Sequence, residues 1–130
     1  LSCSGDKEPQ AGKKKPLVPQ YTPREGVWRA LKLMEAALNH RNFEAYLKVF
    51  DGAAAHTIRR QVPPAKFRAA CRGRYALHSF EVVKEHARSL ATAKYVFRQS
   101  IPGLPDKLLP GEGVFSAHGS RKHWVIISFK

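Results

Sequence analysis

Residues 77–98 read LHSFEVVKEHARSLATAKYVFR, a stretch in which apolar and polar side chains alternate over most of its length. Such alternation is typical of β-strands, whose successive side chains point to opposite faces of the sheet. Phe80 and Val82 then share one face of a first strand with His78, while Glu81 lies on the other face. This stretch predicts sheet structure for the second half of the chain.

Further segments extend the predicted sheet as one meander. A strand over 92–98 is followed by a loop rich in Pro and Gly over 101–112, a shorter strand over 113–118 and a final strand over 123–129. The final strand is apolar on both faces, which favours a central strand or one covered by the tail or by a partner. We therefore expect one antiparallel sheet of about four strands.

The first half of the chain, residues 22–72, has the apolar spacing of short amphipathic helices. Thr22, followed by Pro and then by Glu25, forms a helix start with a capping box. Asn42 is expected to cap a second helix, which Asp51 and the following Gly end. The apolar stripes of these two helices are Val27, Leu31, Met34 and Leu38, and Phe43, Tyr46, Leu47 and Phe50.

Two shorter helical segments are predicted before the sheet begins. One covers 53–61, and the other covers 65–72 after two consecutive prolines that break the chain. The second of these is expected to point Phe67, Ala70 and Cys71 inward. The order of elements, helices first and strands after, predicts an α+β domain.

Charge is the feature in which the composition departs most from the average. The chain has 23 Lys and Arg residues against 10 Asp and Glu, a formal net charge of +13 at pH 7. A field of this sign attracts anionic partners such as phosphate backbones, acidic lipid surfaces or acidic proteins. No run approaches the roughly 18 apolar residues that a spanning helix needs, so we expect no transmembrane segment.

The densest basic stretch holds six cations within sixteen residues and contains no acid. We interpret it either as a solvated helical face or as a docking face for acidic lipid headgroups or an acidic protein. Nucleic acid is the lesser option, because the stretch has no nucleic-acid motif and no interleaved aromatic platforms for stacking bases. The six residues are Arg59, Arg60, Lys66, Arg68, Arg72 and Arg74.

The start of the chain resembles the end of a bacterial lipoprotein signal, in which a small residue precedes the cysteine that receives the lipid. Cys3 is therefore the candidate lipidation site, and we expect anchoring to a membrane outside the cytoplasm. Residues 1–21 are polar and basic and predict a flexible tether to a single domain over 22–130. The chain begins with Leu1 rather than Met, so the alternative is an organelle protein whose transit peptide was cleaved.

Three local features occur together in the predicted domain. They are a helix, turn and helix over 36–46 with a continuation over 49–51, paired strands over 79–83 and 91–96, and a Trp-bearing strand over 122–126. Together they resemble the nuclear transport factor 2-like superfamily, and most of all its small bacterial lipoprotein domains. The resemblance implies a cystatin-like α+β cone, in which N-terminal helices pack in a curved antiparallel sheet. Many members have a strand hairpin after the second helix, where this chain has an Ala-rich helical stretch.

Some relatives of this fold are isomerases or dehydratases, which need a carboxylate or His base inside the cone. Here Glu81 and Glu85 are predicted on the face away from the cone, so we expect no catalytic residue. No histidines have the spacing of a zinc site, and we expect neither metal nor cofactor. The interior is predicted as a small apolar pocket or a solid core, lined by Trp28, Tyr46, His78, Phe80, Tyr95, Phe97 and Trp124.

The leading hypothesis is therefore a non-enzymatic binding or scaffolding domain that docks an anionic partner through its basic helical stretch. Two alternatives stay open. One is a structural subunit of a larger protein or ribonucleoprotein assembly, including an organellar one. The other is a small lyase or isomerase of the same fold.

Overall fold

The computed structural model describes residues 21–117 and 124–129, so Cys3 and nearly all of the predicted tether lie outside the described residues. In this part of the chain, four helices precede four strands that form one antiparallel sheet in the order β1-β2-β3-β4. The helices are α1 (Pro23–Asn39), α2 (Phe43–Leu47), α3 (Gly52–Gln61) and α4 (Pro64–Ala70); the strands are β1 (Arg74–Ala87), β2 (Leu90–Ser100), β3 (Lys107–Ala117) and β4 (Trp124–Phe129). The predicted α+β class is confirmed. No helix in the described ranges is long and apolar enough to span a bilayer.

Side-chain caps start the first two helices where the sequence predicts them. Thr22 Oγ1 accepts a hydrogen bond from the Glu25 backbone N–H at 3.2 Å. Asn42 Oδ1 accepts one from the Ala45 N–H at 3.1 Å. Each bond satisfies a backbone donor that has no partner within its own helix. Both predicted helix starts are confirmed.

Asp51 begins a helix rather than ending one, which corrects the prediction for the end of the second helix. α2 ends at Leu47, and Asp51 Oδ1 accepts a hydrogen bond from the Ala54 N–H at 2.8 Å to cap α3. The backbone between the two helices bonds to the sheet instead. The Asp51 N–H donates to the Ile126 carbonyl and the Ile126 N–H to the Val49 carbonyl, both at 2.9 Å. These long-range bonds override the helical spacing of the local sequence.

A β-bulge at His78 changes which residues of β1 face the helices. Leu77 lies opposite Phe97 and Ser79 opposite Val96, so His78 has no partner of its own in the ladder. One extra residue in a strand reverses the alternation of its side chains. The His78 side chain is therefore exposed, and its prediction as an interior residue is wrong.

β3 begins at Lys107, so the predicted loop over 101–112 is wrong in its second half. Pro110 pairs with Val96 in the β2–β3 ladder. Among the described residues, β4 pairs with β3 only from Gly113 onward, so Pro110 has a described strand neighbour on one side only. Pro can be accommodated at such an edge, where its missing N–H need not cost a ladder hydrogen bond. The turn-forming residues here mark an edge of the sheet rather than a loop.

β4 is an edge strand and not the central strand that its two apolar faces suggested. It pairs with β3 on one side, and on the other Ile126 forms a single parallel bridge with Phe50. Its core-facing Trp124 and Ile126 are buried, and Val125 between them is buried as well. The predicted start of this strand at residue 123 lies outside the described residues.

The core lies between α1 and the inner face of the sheet. Gly26 lets α1 approach β4 closely, because a Cβ atom at this position would lie 2.3 Å from Cδ1 of Trp124. From α4, Phe67 is buried, as is Cys71 just beyond its end, whereas Ala70 is exposed and was wrongly expected to point inward. The largest fully buried side chains are Trp124, Phe115, Leu31, Ile126, Val27, Val49 and Val125.

Two polar residues of α1 bind the free edge of β1. Asn39 bonds Tyr75 twice: its Nδ2 donates to the Tyr75 carbonyl at 2.9 Å, and its Oδ1 accepts from the Tyr75 N–H at 2.7 Å. Glu35, one helical turn earlier, accepts from the Leu77 N–H at 2.6 Å and is paired with Lys32 at 2.7 Å. The side chains of α1 thus take the place of a neighbouring strand along this part of the edge.

The Glu35 carboxylate makes the stability of the domain sensitive to acid. Partial burial alone raises the pKa of Glu35, but the hydrogen bonds from Lys32 and Leu77 outweigh it, so the pKa lies below the usual 4.5. A carboxylate with a depressed pKa stabilises the folded state above its unfolded pKa, and this contribution is lost as the pH falls through the folded pKa.

We predict that Glu35→Gln lowers the free energy of unfolding by about 1–2 kcal/mol at neutral pH, because a charge-assisted bond becomes a neutral one. In acid, below pH 4.5, the difference from wild type should shrink, since the Glu35 carboxylate loses its charge as the pH falls through its lowered pKa. Urea unfolding at the two pH values measures this, with the exposed Glu85→Gln as control. An equal loss at both pH values would contradict the role of the charge.

Candidate functional site

The six cations predicted as a docking face are all exposed, and four of them lie on two neighbouring short helices. Arg59 and Arg60 lie in the last turn of α3, and Lys66 and Arg68 lie on α4. Both helices contact the short α2, which keeps them on one side of the molecule. Arg72 follows α4, and Arg74 is the first residue of β1.

One of the six cations is already engaged within the protein. The Arg59 guanidinium donates two hydrogen bonds to the Glu44 carboxylate of α2, both at 2.9 Å. Hydrogen bonding from Arg59 holds the pKa of Glu44 below its usual value and raises that of Arg59. A bidentate pair of this kind leaves little of the Arg59 charge for an external anion. The partner of Arg59 was not apparent from the sequence, because the contact joins two different helices.

The other five cations have no ion pair with an acid in residues 21–117 or 124–129. We refer to these five as the basic face. Unpaired like charges repel one another, so bringing an anion to this surface relieves an unfavourable interaction. The residues of the basic face are Arg60, Lys66, Arg68, Arg72 and Arg74.

Backbone contacts hold the segment that carries Arg72. Gln99 Nε2 of β2 donates to the Arg72 carbonyl at 2.9 Å and to the Tyr75 hydroxyl at 3.0 Å. The Arg72 N–H donates to the same hydroxyl at 3.2 Å. Arg41, in the turn between α1 and α2, donates through Nε to the Cys71 carbonyl at 3.0 Å. These bonds fix the backbone and leave the Arg72 side chain directed to solvent.

Five of the six aromatic residues predicted for the interior lie in the core or against it. Phe97 and Trp124 are buried, and Tyr46, Phe80 and Tyr95 are half-buried against the core. Burial raises the pKa of Tyr46 to about 12 and also raises that of Tyr95. Both phenols therefore stay protonated at neutral pH and can serve as hydrogen-bond donors.

Trp28 lies on the surface, where 44% of it is exposed, so its prediction as a core residue is wrong. It follows Val27 directly in the chain, at the edge of the α1 stripe that faces the sheet, and it lines an open groove of about 420 Å³ with Phe80 and Arg24. The Arg24 guanidinium lies 4.8 Å from the centre of the Phe80 ring. His78, also exposed, has Nδ1 3.0 Å from the Arg98 guanidinium.

Glu81 lies on the face of β1 that the sequence predicted, opposite Lys94, but Glu85 does not. A second β-bulge, at Val83, places Glu85 opposite Ala91, on the same face as Val82, so its prediction on the other face is wrong. Glu81 and Glu85 are exposed, and no polar or charged residue is buried among the described ones. The one buried polar atom without a partner there is Nε1 of Trp124. Within the same ranges no group of three or more His, Cys, Asp or Glu side chains could hold a metal ion. The Cys71 thiol is buried, which raises its pKa and keeps it protonated.

Comparison with known proteins places the fold. The chain is similar to the crystal structure of a nuclear transport factor 2-like protein of unknown function from Shewanella oneidensis, with a TM-score of 0.58. The two share 13% identity, and the alignment covers 82% of this chain and 96% of the other. Because this likeness covers nearly the whole of the other structure, the chain has the nuclear transport factor 2-like fold, as the sequence resemblance implied.

Two further structures align at lower similarity. One, from Xanthomonas campestris, is named as a candidate polyketide cyclase: identity is 18%, coverage 78% and 89% of the two chains, and the TM-score 0.40. The other, from Pseudomonas putida, carries the same name, with 15% identity, 74% and 86% coverage, and a TM-score of 0.35. Likeness at this level carries no inference about activity. No protein-family model and no curated protein matches the chain.

Proposed function

We propose that this protein is a non-catalytic binding domain that docks onto membrane surfaces rich in acidic phospholipids. The observation that carries the proposal is the basic face, whose five exposed cations have no acidic partner in the described ranges. A lipid bilayer offers many mobile phosphates, which long flexible side chains can meet without a shaped pocket.

Acidic lipid is favoured over nucleic acid because the basic face offers no aromatic surface. Phe67 lies between Lys66 and Arg68 in the chain, but its ring is buried against Phe43 and Tyr46 of α2, with ring centroids 5.1 and 5.0 Å away. Single-stranded nucleic acid binding normally combines cations with exposed rings on which bases stack. The cations alone suit headgroups that are recognised by charge.

The size of the expected attraction explains why a second anchor is part of the proposal. Each Lys or Arg near an anionic membrane contributes about 1 kcal/mol, so five contribute roughly 5 kcal/mol. Binding of that strength is reversible and weakens with salt. Stable attachment takes two signals, such as a lipid chain and a basic patch. We therefore propose that Cys3 carries a lipid and that the protein acts outside the cytoplasm.

Lipid attachment is tested by the intact mass of the protein extracted from the membranes of its native cells. We expect an N-terminus at Cys3 with the added mass of a diacylglyceryl group, and Cys3→Ser should move the protein to the soluble fraction. An unmodified Cys3 would contradict the anchor and favour the organellar alternative, while leaving the proposal for the basic face intact.

Reversing two charges of the basic face should weaken docking strongly. We expect Arg68→Glu/Arg72→Glu to weaken binding to phosphatidylglycerol vesicles more than tenfold, since four units of charge change at the contact. Vesicle co-sedimentation measures this, and binding to neutral phosphatidylcholine vesicles should be weak for every variant. The control Lys84→Glu/Arg88→Glu makes the same charge change at the other end of β1, on two exposed residues.

Two results would count against the proposal. Equal loss in the control would show that net charge, rather than the basic face, governs binding. Failure of the wild type to bind acidic vesicles would reject lipid as the ligand and leave an acidic protein as the partner to be sought with the same variants.

Releasing Arg59 should have the opposite effect. Glu44→Gln removes the carboxylate that binds Arg59, so we expect tighter binding to phosphatidylglycerol vesicles than the wild type shows. Glu85→Gln changes the net charge equally at an exposed site near the far end of β1, and its effect should be smaller. If the two variants bind alike, Arg59 does not contribute to the docking surface.

A lyase or isomerase of the same fold is the second candidate, favoured by the two protonated phenols of Tyr46 and Tyr95. Such hydroxyls can donate to a developing oxyanion. The reaction also needs a base, and no described carboxylate or imidazole is buried. Glu35, the least exposed acid with a depressed pKa, is held by Lys32 and Leu77. Binding is therefore the better-supported function.

The structural-subunit alternative has less support. It predicts that a neighbour covers the region after β2 and the last strand. Four large apolar residues there are exposed, which is compatible with a partner, although single exposed apolar residues are common on monomeric proteins. They are Leu104, Leu108, Ile127 and Phe129.

A further inference from the structure

A groove runs between α1 and α2, apart from the basic face and from the interior of the cone. Its volume is about 340 Å³, at the lower end of the roughly 300–1,000 Å³ that small-molecule pockets occupy. Five of the seven lining residues are apolar, and the other two are a lysine and a histidine. The seven are Leu33, Ala36, Ala37, His40, Ala45, Lys48 and Val49.

The apolar wall of the groove suits a thin aliphatic ligand. Three of its side chains are only methyl groups, so the two helices leave space that their own residues do not fill. Val49 is buried, whereas 47% of Leu33 is exposed to water. Covering such a surface with an alkyl chain removes apolar area from solvent, which is favourable by about 0.8 kcal/mol per buried methylene.

The charged rim of the groove selects for an anion. Lys48 follows Glu44 by one helical turn, but the Glu44 carboxylate already accepts both hydrogen bonds of Arg59. One carboxylate therefore faces two cations, and the Lys48 ammonium is left without a matching charge in the described ranges. His40, exposed on the opposite wall, offers a ring N–H that can donate a hydrogen bond to an anionic head group.

We propose that this groove binds a single-chain amphiphile with an anionic head, of the fatty-acid class. The alkyl chain lies against Leu33, Ala36 and Val49, and the head group pairs with Lys48. The site goes beyond membrane docking, because it takes one monomeric ligand and does not use the basic face. A second copy of the chain is a poorer occupant, since a symmetric contact through this groove brings Lys48 close to its own counterpart.

The test is calorimetric titration of the whole protein with dodecanoate below its micelle-forming concentration. We expect saturable binding at one site, and at least about tenfold weaker binding of dodecyltrimethylammonium, which has the same chain and the opposite charge. Dodecyl phosphate separates the two sources of an anionic head: binding equal to or tighter than dodecanoate assigns the site to a phospholipid-derived amphiphile, weaker binding to a fatty acid. Either result supports the proposal.

Two variants locate the site. Ala36→Trp fills the groove from an exposed helix position and should abolish dodecanoate binding, while Ala53→Trp, an equal change at an exposed position of α3, should not. Lys48→Glu should weaken dodecanoate binding about tenfold and favour the cationic amphiphile. Circular dichroism checks that the variants fold.

The dodecanoate titration and the vesicle-binding test can fail independently of each other. Arg68→Glu/Arg72→Glu should bind dodecanoate as the wild type does, whatever it does to vesicle binding. The proposal is overturned if Ala36→Trp retains wild-type affinity, or if Lys48→Glu leaves the preference for anionic over cationic amphiphiles unchanged.

Discussion

The attachment of α1 to the free edge of β1 is the contact on which the rest of the structure depends. An edge strand presents unpaired backbone groups that must be satisfied or shielded. Here the side chains of Glu35 and Asn39 supply three hydrogen bonds to Tyr75 and Leu77, with donor–acceptor distances of 2.6–2.9 Å. The same helix buries its apolar stripe against the sheet. One helix thus closes the core and covers the strand edge, which holds the helical layer over the inner face.

The same contact places the basic face. Tyr75, which Asn39 binds through its backbone, accepts hydrogen bonds from Arg72 and Gln99 through its hydroxyl. The segment after α4 is therefore held through the backbone of Arg72, which bonds to the Tyr75 hydroxyl and to Gln99 of β2. Rigid backbone with mobile charged side chains is suited to a diffuse anionic surface, because the cations can follow mobile phosphates without any loss of fold. All five cations of the basic face are exposed, and no charged residue is buried among the described ones.

Local signals in the sequence were reliable where the interacting residues are neighbours in the chain. The caps at Thr22 and Asn42 involve donors three residues away, and both helix starts were predicted. Alternation identified the strands. It failed at His78, because a bulge depends on how β1 meets β2 and not on the sequence of β1 alone. It also failed after residue 106, where Pro110 lies in a part of β3 that has no described pairing with β4. The prediction of Trp28 as an interior residue was wrong because a side chain at the edge of a helix's apolar stripe can face either the core or the solvent.

By itself, the sequence determined the order of helices and strands, the helix caps at Thr22 and Asn42, and the cluster of basic residues, since all of these depend on spacing and residue type along the chain. Only the tertiary structure decided which cations stay available. Arg59 is neutralised by Glu44 from another helix, and Lys48 gains an unbalanced charge at a groove between helices as a result. The physical reason is distance: electrostatic pairing and burial act over a few ångströms in space, and the sequence does not show which distant residues the fold brings that close.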